Sequence, residues 1–291
     1  MKAIKLIGAI ACIAFSQRAF SQKNAVNSLK DAIDQKKVSV KILPKKNYAD
    51  YTMDMSVTNL SANELKLIVT PGTIFIPGDS GQQTLVAVWS ETLALLKGQT
   101  KNFSVHIFCT ELHDHGPDEN STFTISKTAR TQLLGFVSFL DSIGAHEINM
   151  VQHAIWCITD ACSAASIYSE TDADTAVARK VRARVCKLTG QKDEWYNAES
   201  TISIDEDNNI VVEPTEVKGE LEFESDVQVE IQGCITDATG KVLFTNPNHS
   251  TAGPGTINFD FDLKVQGWKA GTYYVVYKSN GKEVLKQAFT I

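Results

Sequence analysis

Two short stretches of this 291-residue chain carry side chains able to make and break bonds. In "FCTELHDHGPDEN", Cys109 precedes His113, Asp114 and His115. In "NMVQHAIWCITD", Gln152 and His153 stand beside Trp156 and Cys157. A thiol held against a glutamine amide can displace ammonia and leave a thioester, which is electrophilic where an amide is not. The reaction needs the two groups held together, stabilisation of the oxyanion, and a proton acceptor. His113, His115 and His153 are the candidate acceptors, and Trp156, one helical turn past Gln152, is placed to cover the bond. Two other readings stay open. Thiolate and imidazole suit zinc, so Cys109 with the "HDH" run would serve a secreted metal-dependent hydrolase. Alternatively, Cys109 is a core or disulfide cysteine, Gln152 hydrogen-bonds a loop backbone, and the Gly-Pro-Asp-Asn loop is simply solvated. No Ser-His-Asp arrangement, phosphate loop or paired-carboxylate motif is visible, and no cofactor is expected. "DEDNN" at 205–209 lacks the ligand spacing of a calcium loop and reads as a hairpin turn.

These residues must be positioned by two kinds of element. From Val38 to Cys109 the pattern alternates, as in "KVSVKIL", "YTMDMSVTNLS" and "KNFSVHIFC", and is cut at Pro71-Gly72 and Pro77-Gly78, which predicts an antiparallel sandwich. The period then becomes helical. Leu133, Leu134, Val137, Phe139 and Leu140 form one stripe, with Ser126 as N-cap and Gly144 as stop. Ile148, Val151, Ile155 and Ile158 form a second, and Val177, Val181, Val185 and Leu188 a third ending at Gly190. From about Thr201 strands return, with turns at Asp207-Asn208-Asn209, "DATGK" and "SNGK". The expected fold class is α+β: a β-sandwich with a helical bundle over 24–200, then a second all-β, immunoglobulin-like sandwich over 201–291.

Hydrophobic residues make up 43% and charged residues 21%, enough for ordinary cores. A formal net charge of -6 gives no electrostatic reason for a nucleic-acid partner. Lys2, Lys5, an apolar run from Leu6 to Phe15 and "AFS" make residues 1–21 a signal peptide cleaved after Ser21, with Cys12 in "AIAC" as a rival lipidation site. No mature stretch is apolar enough to span a bilayer. Of six cysteines, cleavage leaves Cys109, Cys157, Cys162, Cys186 and Cys234. This odd number becomes even if Cys109 is consumed; Cys157 and Cys162 are candidates to pair with Cys186 on the next helix, and sequence alone does not set the connectivity.

At Phe108-Cys109 and at Val151-Gln152-His153-Ala154-Ile155-Trp156 the chain resembles the thioester domains of bacterial surface adhesins. That family pairs an aromatic-Cys motif on a β-rich part with a hydrophobic-Gln-x-x-hydrophobic-hydrophobic motif on a helix. The resemblance implies a Cys109–Gln152 thioester, with His113 or His153 handling the proton, and covalent attachment to an amine or hydroxyl on a host surface. The partner would be a protein or glycan of a host or neighbouring cell. "DATGKVLF" and "VQGWKAGTYYVVYKSNGKEVLKQAFTI" resemble the type A C-terminal sorting domain of the Bacteroidetes type IX secretion system, which implies export by that machinery to the cell surface. An immunoglobulin-like spacer is the alternative for this module. For the whole chain, the alternatives to adhesion are the hydrolase and a non-covalent carbohydrate- or protein-binding module using the sandwich loops.

Overall fold

The computed structural model describes residues 26–126 and 130–291, apart from 44, 46, 47 and 49. The expected leader lies outside these residues. The order is β1 (Val26–Ser28), α1 (Leu29–Asp34), β2 (Val38–Ile42), β3 (Thr52–Asn59), β4 (Leu65–Val69), β5 (Ile74–Pro77), β6 (Leu85–Ala87), β7 (Glu91–Leu95), β8 (Thr100–Cys109) and β9 (Phe123–Ser126). Then come α2 (Thr131–Ile143), α3 (Ile148–Thr159) and α4 (Thr175–Thr189). The second module holds β10 (Tyr196–Ile204), β11 (Ile210–Ser225), β12 (Val229–Asp237), β13 (Val242–Ala252), β14 (Gly255–Lys264), β15 (Thr272–Ser279) and β16 (Lys282–Thr290).

The chain is α+β. A six-stranded sheet, β2-β3-β8-β6-β5-β9, faces a three-stranded sheet, β1-β4-β7. Alternation decides what each face buries. Met53, Met55, Val57, Val105 and Ile107 point into the sandwich and meet Leu65, Leu67 and Leu95 from the smaller sheet. The opposite register, Ile74, Val86, Val88 and Phe108, points to the helices and joins Phe136, Val137, Val151, Ile155 and Val181. One sheet thus serves two cores. In the second module β10-β11-β14 packs on β13-β12-β15-β16, with Val217, Leu221, Phe261, Val275 and Phe289 between them.

The hairpin turns lie where the sequence puts them: β10 pairs with β11 around 205–209, and β12 with β13 and β15 with β16 around the two Gly-Lys turns. Gly144 and Gly190 end α2 and α4 in the left-handed conformation that glycine adopts without a Cβ penalty. Three expectations need correction. The N-cap of α2 is Arg130, without a side-chain cap bond, because Ser126 is still in strand β9. In α2 the buried stripe is Leu133, Phe136, Val137 and Leu140, while Leu134 is exposed and Phe139 half-buried. Helix α3 is buried all round from Met150 to Cys157 rather than along a stripe, since sheet, α2, α4 and the second module surround it.

Candidate functional site

Strand β8 outlasts its neighbour. β3 starts at Thr52, opposite His106, and the Tyr51 carbonyl takes the Ile107 N–H at 2.9 Å. Tyr51 itself has φ 53° and turns the chain away. On the other side β6 stays in register, with Leu85 opposite Cys109, and the Thr110 N–H reaches the Thr84 carbonyl at 2.9 Å. Antiparallel alternation therefore leaves the N–H and C=O of Cys109 facing the gap past the end of β3.

Gln152 of α3 fills that gap. Its Oε1 accepts the Cys109 N–H at 3.0 Å, and its Nε2 donates to the Cys109 carbonyl at 2.9 Å. The amide orientation is fixed by chemistry, because the N–H can only donate and the carbonyl only accept. Gln152 is wholly buried, so both its polar atoms are spent on one residue of the strand. The two residues singled out by the sequence, 43 positions apart, meet through the Cys109 backbone.

The Cys109 side chain alternates with Phe108: Phe108 packs among the helices, Cys109 beside the sandwich core. As a residue Cys109 is half-buried. Burial, with the Glu111 charge adding to it, pushes its thiol up to about 12. Glu111 is the group sequence reasoning missed. It accepts the Thr84 N–H at 2.7 Å, and desolvation raises its carboxyl above the ordinary range. A cavity of about 370 Å³ adjoins it, lined among others by Ile74, Thr110, Leu133 and Asp160.

The histidines divide. His113 and His115 are exposed. His153 is buried and turned to the second module, with Nε2 3.1 Å from Ser200 Oγ and its ring edge-on to Trp156 at 5.7 Å. Burial lowers its imidazole to about 4. Trp156 is itself buried. Among the described residues no group of three His, Cys, Asp or Glu is placed to hold a metal ion.

The segment leaving Cys109 is tied down along its length. The Leu112 N–H bonds Asp160, Gln83 Nε2 bonds the Asp114 carbonyl at 3.0 Å, and the Gly116 N–H bonds the Asn208 carbonyl at 2.8 Å. All five cysteines among the described residues are free thiols. Cys157, Cys162 and Cys186 share the helical core, whereas Cys234 lies on β12 in the second module, so the four cannot all pair with one another.

No family model and no curated protein matches the chain. Among solved structures, a selenomethionine-labelled β-glucosidase from Kluyveromyces marxianus aligns at 10% identity with a TM-score of 0.20, over 92% of this chain and 50% of that one. The chain thus spans about half the length of that enzyme, and a likeness this low carries no argument about fold or activity.

Proposed function

We propose that the protein is an exported bacterial cell-surface adhesion protein whose first module attaches covalently to its target through a Cys109–Gln152 thioester. The observation that carries the reading is the reciprocal bonding of the Gln152 amide to the Cys109 backbone. The Cys109 N–H already donates to the oxygen that would become the oxyanion when sulfur adds to the amide carbon. A fixed donor of this kind is worth about 3–4 kcal/mol in acyl transfer. The addition product collapses by expelling the amide nitrogen as ammonia, which carries away the thiol proton. A thiol with a pKa near 12 is not ionised at neutral pH, so that proton must be taken during the attack. Glu111, whose charge acts on this thiol, is the acceptor in our reading; His153 is turned away. In the second step a target amine or hydroxyl adds to the acyl carbon. The Cys109 sulfur leaves and takes the nucleophile's proton, and the target stays bonded to Gln152. The cavity beside Thr110 and Glu111 offers an approach to this end of β8.

In this proposal the partner is a surface protein or glycan of a host or neighbouring cell, and the second module serves type IX export or acts as a spacer. Intact mass tests the bond: the purified protein should be lighter than its sequence by one ammonia, and methylamine should add to Gln152 while freeing the Cys109 thiol. Full sequence mass with no methylamine uptake sinks the covalent reading. Gln152 is then a buried amide that finishes the ladder of β8.

A further inference from the structure

One hairpin of the second module touches both halves of the site. Ser200, in β10, bonds His153, the neighbour of Gln152, at 3.1 Å. The Tyr168 hydroxyl, from the first module, donates to the Ser200 carbonyl at 3.0 Å. At the turn between β10 and β11, Asn208 Nδ2 donates to the carbonyls of Gly116, at 2.5 Å, and Pro117, at 3.0 Å. Both carbonyls belong to the segment that leaves Cys109. Arg182 of α4 roots the same strand, donating to the Tyr196 carbonyl at 3.1 Å and to Asn197 Oδ1 at 2.7 Å. A Cβ at Gly116 would sit 3.2 Å from the Asn208 carbonyl, so this contact leaves little room.

We propose that Ser200 and Asn208 are positioning residues, and that β10–β11 is a splint holding the Cys109 segment and helix α3 in register. The inference rests on the acyl-transfer reading for its purpose, not for its geometry. Two hydrogen bonds join Cys109 of the strand end to Gln152 of the helix. They persist only while strand end and helix keep their spacing. A bond-forming pair loses heavily from a displacement of about 1 Å, on the order of 100-fold. The second module is therefore part of the site rather than a separable tail, and undocking it should switch the pair off.

Hydrogen exchange of the full chain at the Cys109 N–H tests this directly, because that N–H reports its bond to Gln152 whether or not a thioester forms. Asn208→Asp puts a carboxylate against two carbonyls. Asn208→Gly removes only the side chain and keeps the left-handed turn, where Asn208 has φ 64°. Ser200→Ala removes only the hydroxyl. We expect Asn208→Asp and Ser200→Ala each to speed exchange at Cys109 at least tenfold while Met55, inside the sandwich, exchanges as before. Methylamine uptake by Gln152 should fall with it. Unchanged exchange at Cys109 in Ser200→Ala and both Asn208 variants overturns the splint. So does equal acceleration at Cys109 and Met55, which would mean general loosening. If the parent protein lacks the ammonia deficit, the acyl reading fails while the exchange result still decides the splint.

Discussion

Acidification should weaken this protein between about pH 6.5 and pH 4 through one imidazole. His153 is 3% exposed, and burial, with no charged partner, lowers its pKa from 6.5 to about 4. Its neighbours from the surrounding elements are the Ser200 hydroxyl and the Trp156 edge. The unfolded chain binds this proton near pH 6.5 and the folded chain only near pH 4. Protons therefore favour the unfolded state across that window, and stability falls as pH falls through it. At about 1.4 kcal/mol per pKa unit, the gap between 6.5 and about 4 is worth about 3 kcal/mol. Nothing is lost above pH 6.5, and no further loss from this group occurs below 4. For a protein stable by about 5–15 kcal/mol this is a large share.

Other groups titrate nearby. The carboxyls of Glu111 and Glu147 are raised mainly by desolvation, so their contribution to stability is full at low pH and fades as pH rises through their folded pKa. They oppose His153, and the comparison must be a difference. Urea unfolding at several pH values, run on the parent and on His153→Gln, isolates the imidazole. The glutamine amide reaches toward Ser200 but carries no proton equilibrium in this range. The parent should lose about 3 kcal/mol relative to the variant between pH 7 and pH 4. An imidazole that titrates near 6.5 in the folded protein by NMR, or parallel pH profiles, would refute the argument.

Three further outcomes follow from the geometry. Gln152→Ala should cost about 2–5 kcal/mol in chemical denaturation, because both backbone groups of Cys109 lose their partner in a buried place; a cost near zero would mean that water replaces the amide freely. Under oxidising conditions peptide mapping should find one disulfide among Cys157, Cys162 and Cys186, with Cys234 still a thiol, since only the first three share a core; a bridge to Cys234 would contradict this placement. Gly219→Ala should destabilise the second module by about 1–3 kcal/mol, because the new Cβ would lie 2.6 Å from the Trp195 carbonyl and 2.9 Å from its ring; an unchanged melting temperature would show that Trp195 moves aside at no cost.

What the sequence could and could not say follows from the range of each signal. Alternation and turn residues are local, so β3, β8 and the hairpins at 205–209, "DATGK" and "SNGK" were legible. The short strands β7 and β9 were not, because five and four residues hold too little alternation to stand out. The cap of α2 was misplaced since Ser126 has the right side chain but the wrong backbone, being paired with Ile74 across a ladder. Cys109 and Gln152 were legible as residue types, and their contact could be expected only from a resemblance. What makes that contact is a missing strand: β3 gives out at Tyr51 and leaves two backbone groups of β8 unpaired. No local pattern records an unpaired backbone group.

The same limit explains why His113 and His153 looked like proton acceptors while Glu111 did not. A histidine next to a candidate in sequence is an appealing base, but direction decides. On α3 adjacent residues point about 100° apart, so Gln152 reaching the strand sends His153 toward Ser200. Glu111 lies past the end of β8, beyond a bend at Thr110, and its charge still acts on the Cys109 thiol. If Glu111 takes the thiol proton, Glu111→Gln should slow thioester formation by about 100-fold while leaving the fold and the Gln152 contact intact. Its apparent rate should rise with pH through the raised pKa of Glu111 and be flat in the variant. A variant that forms the bond as fast as the parent, with the same pH profile, would remove Glu111 from the chemistry and leave it as the partner of the Thr84 N–H.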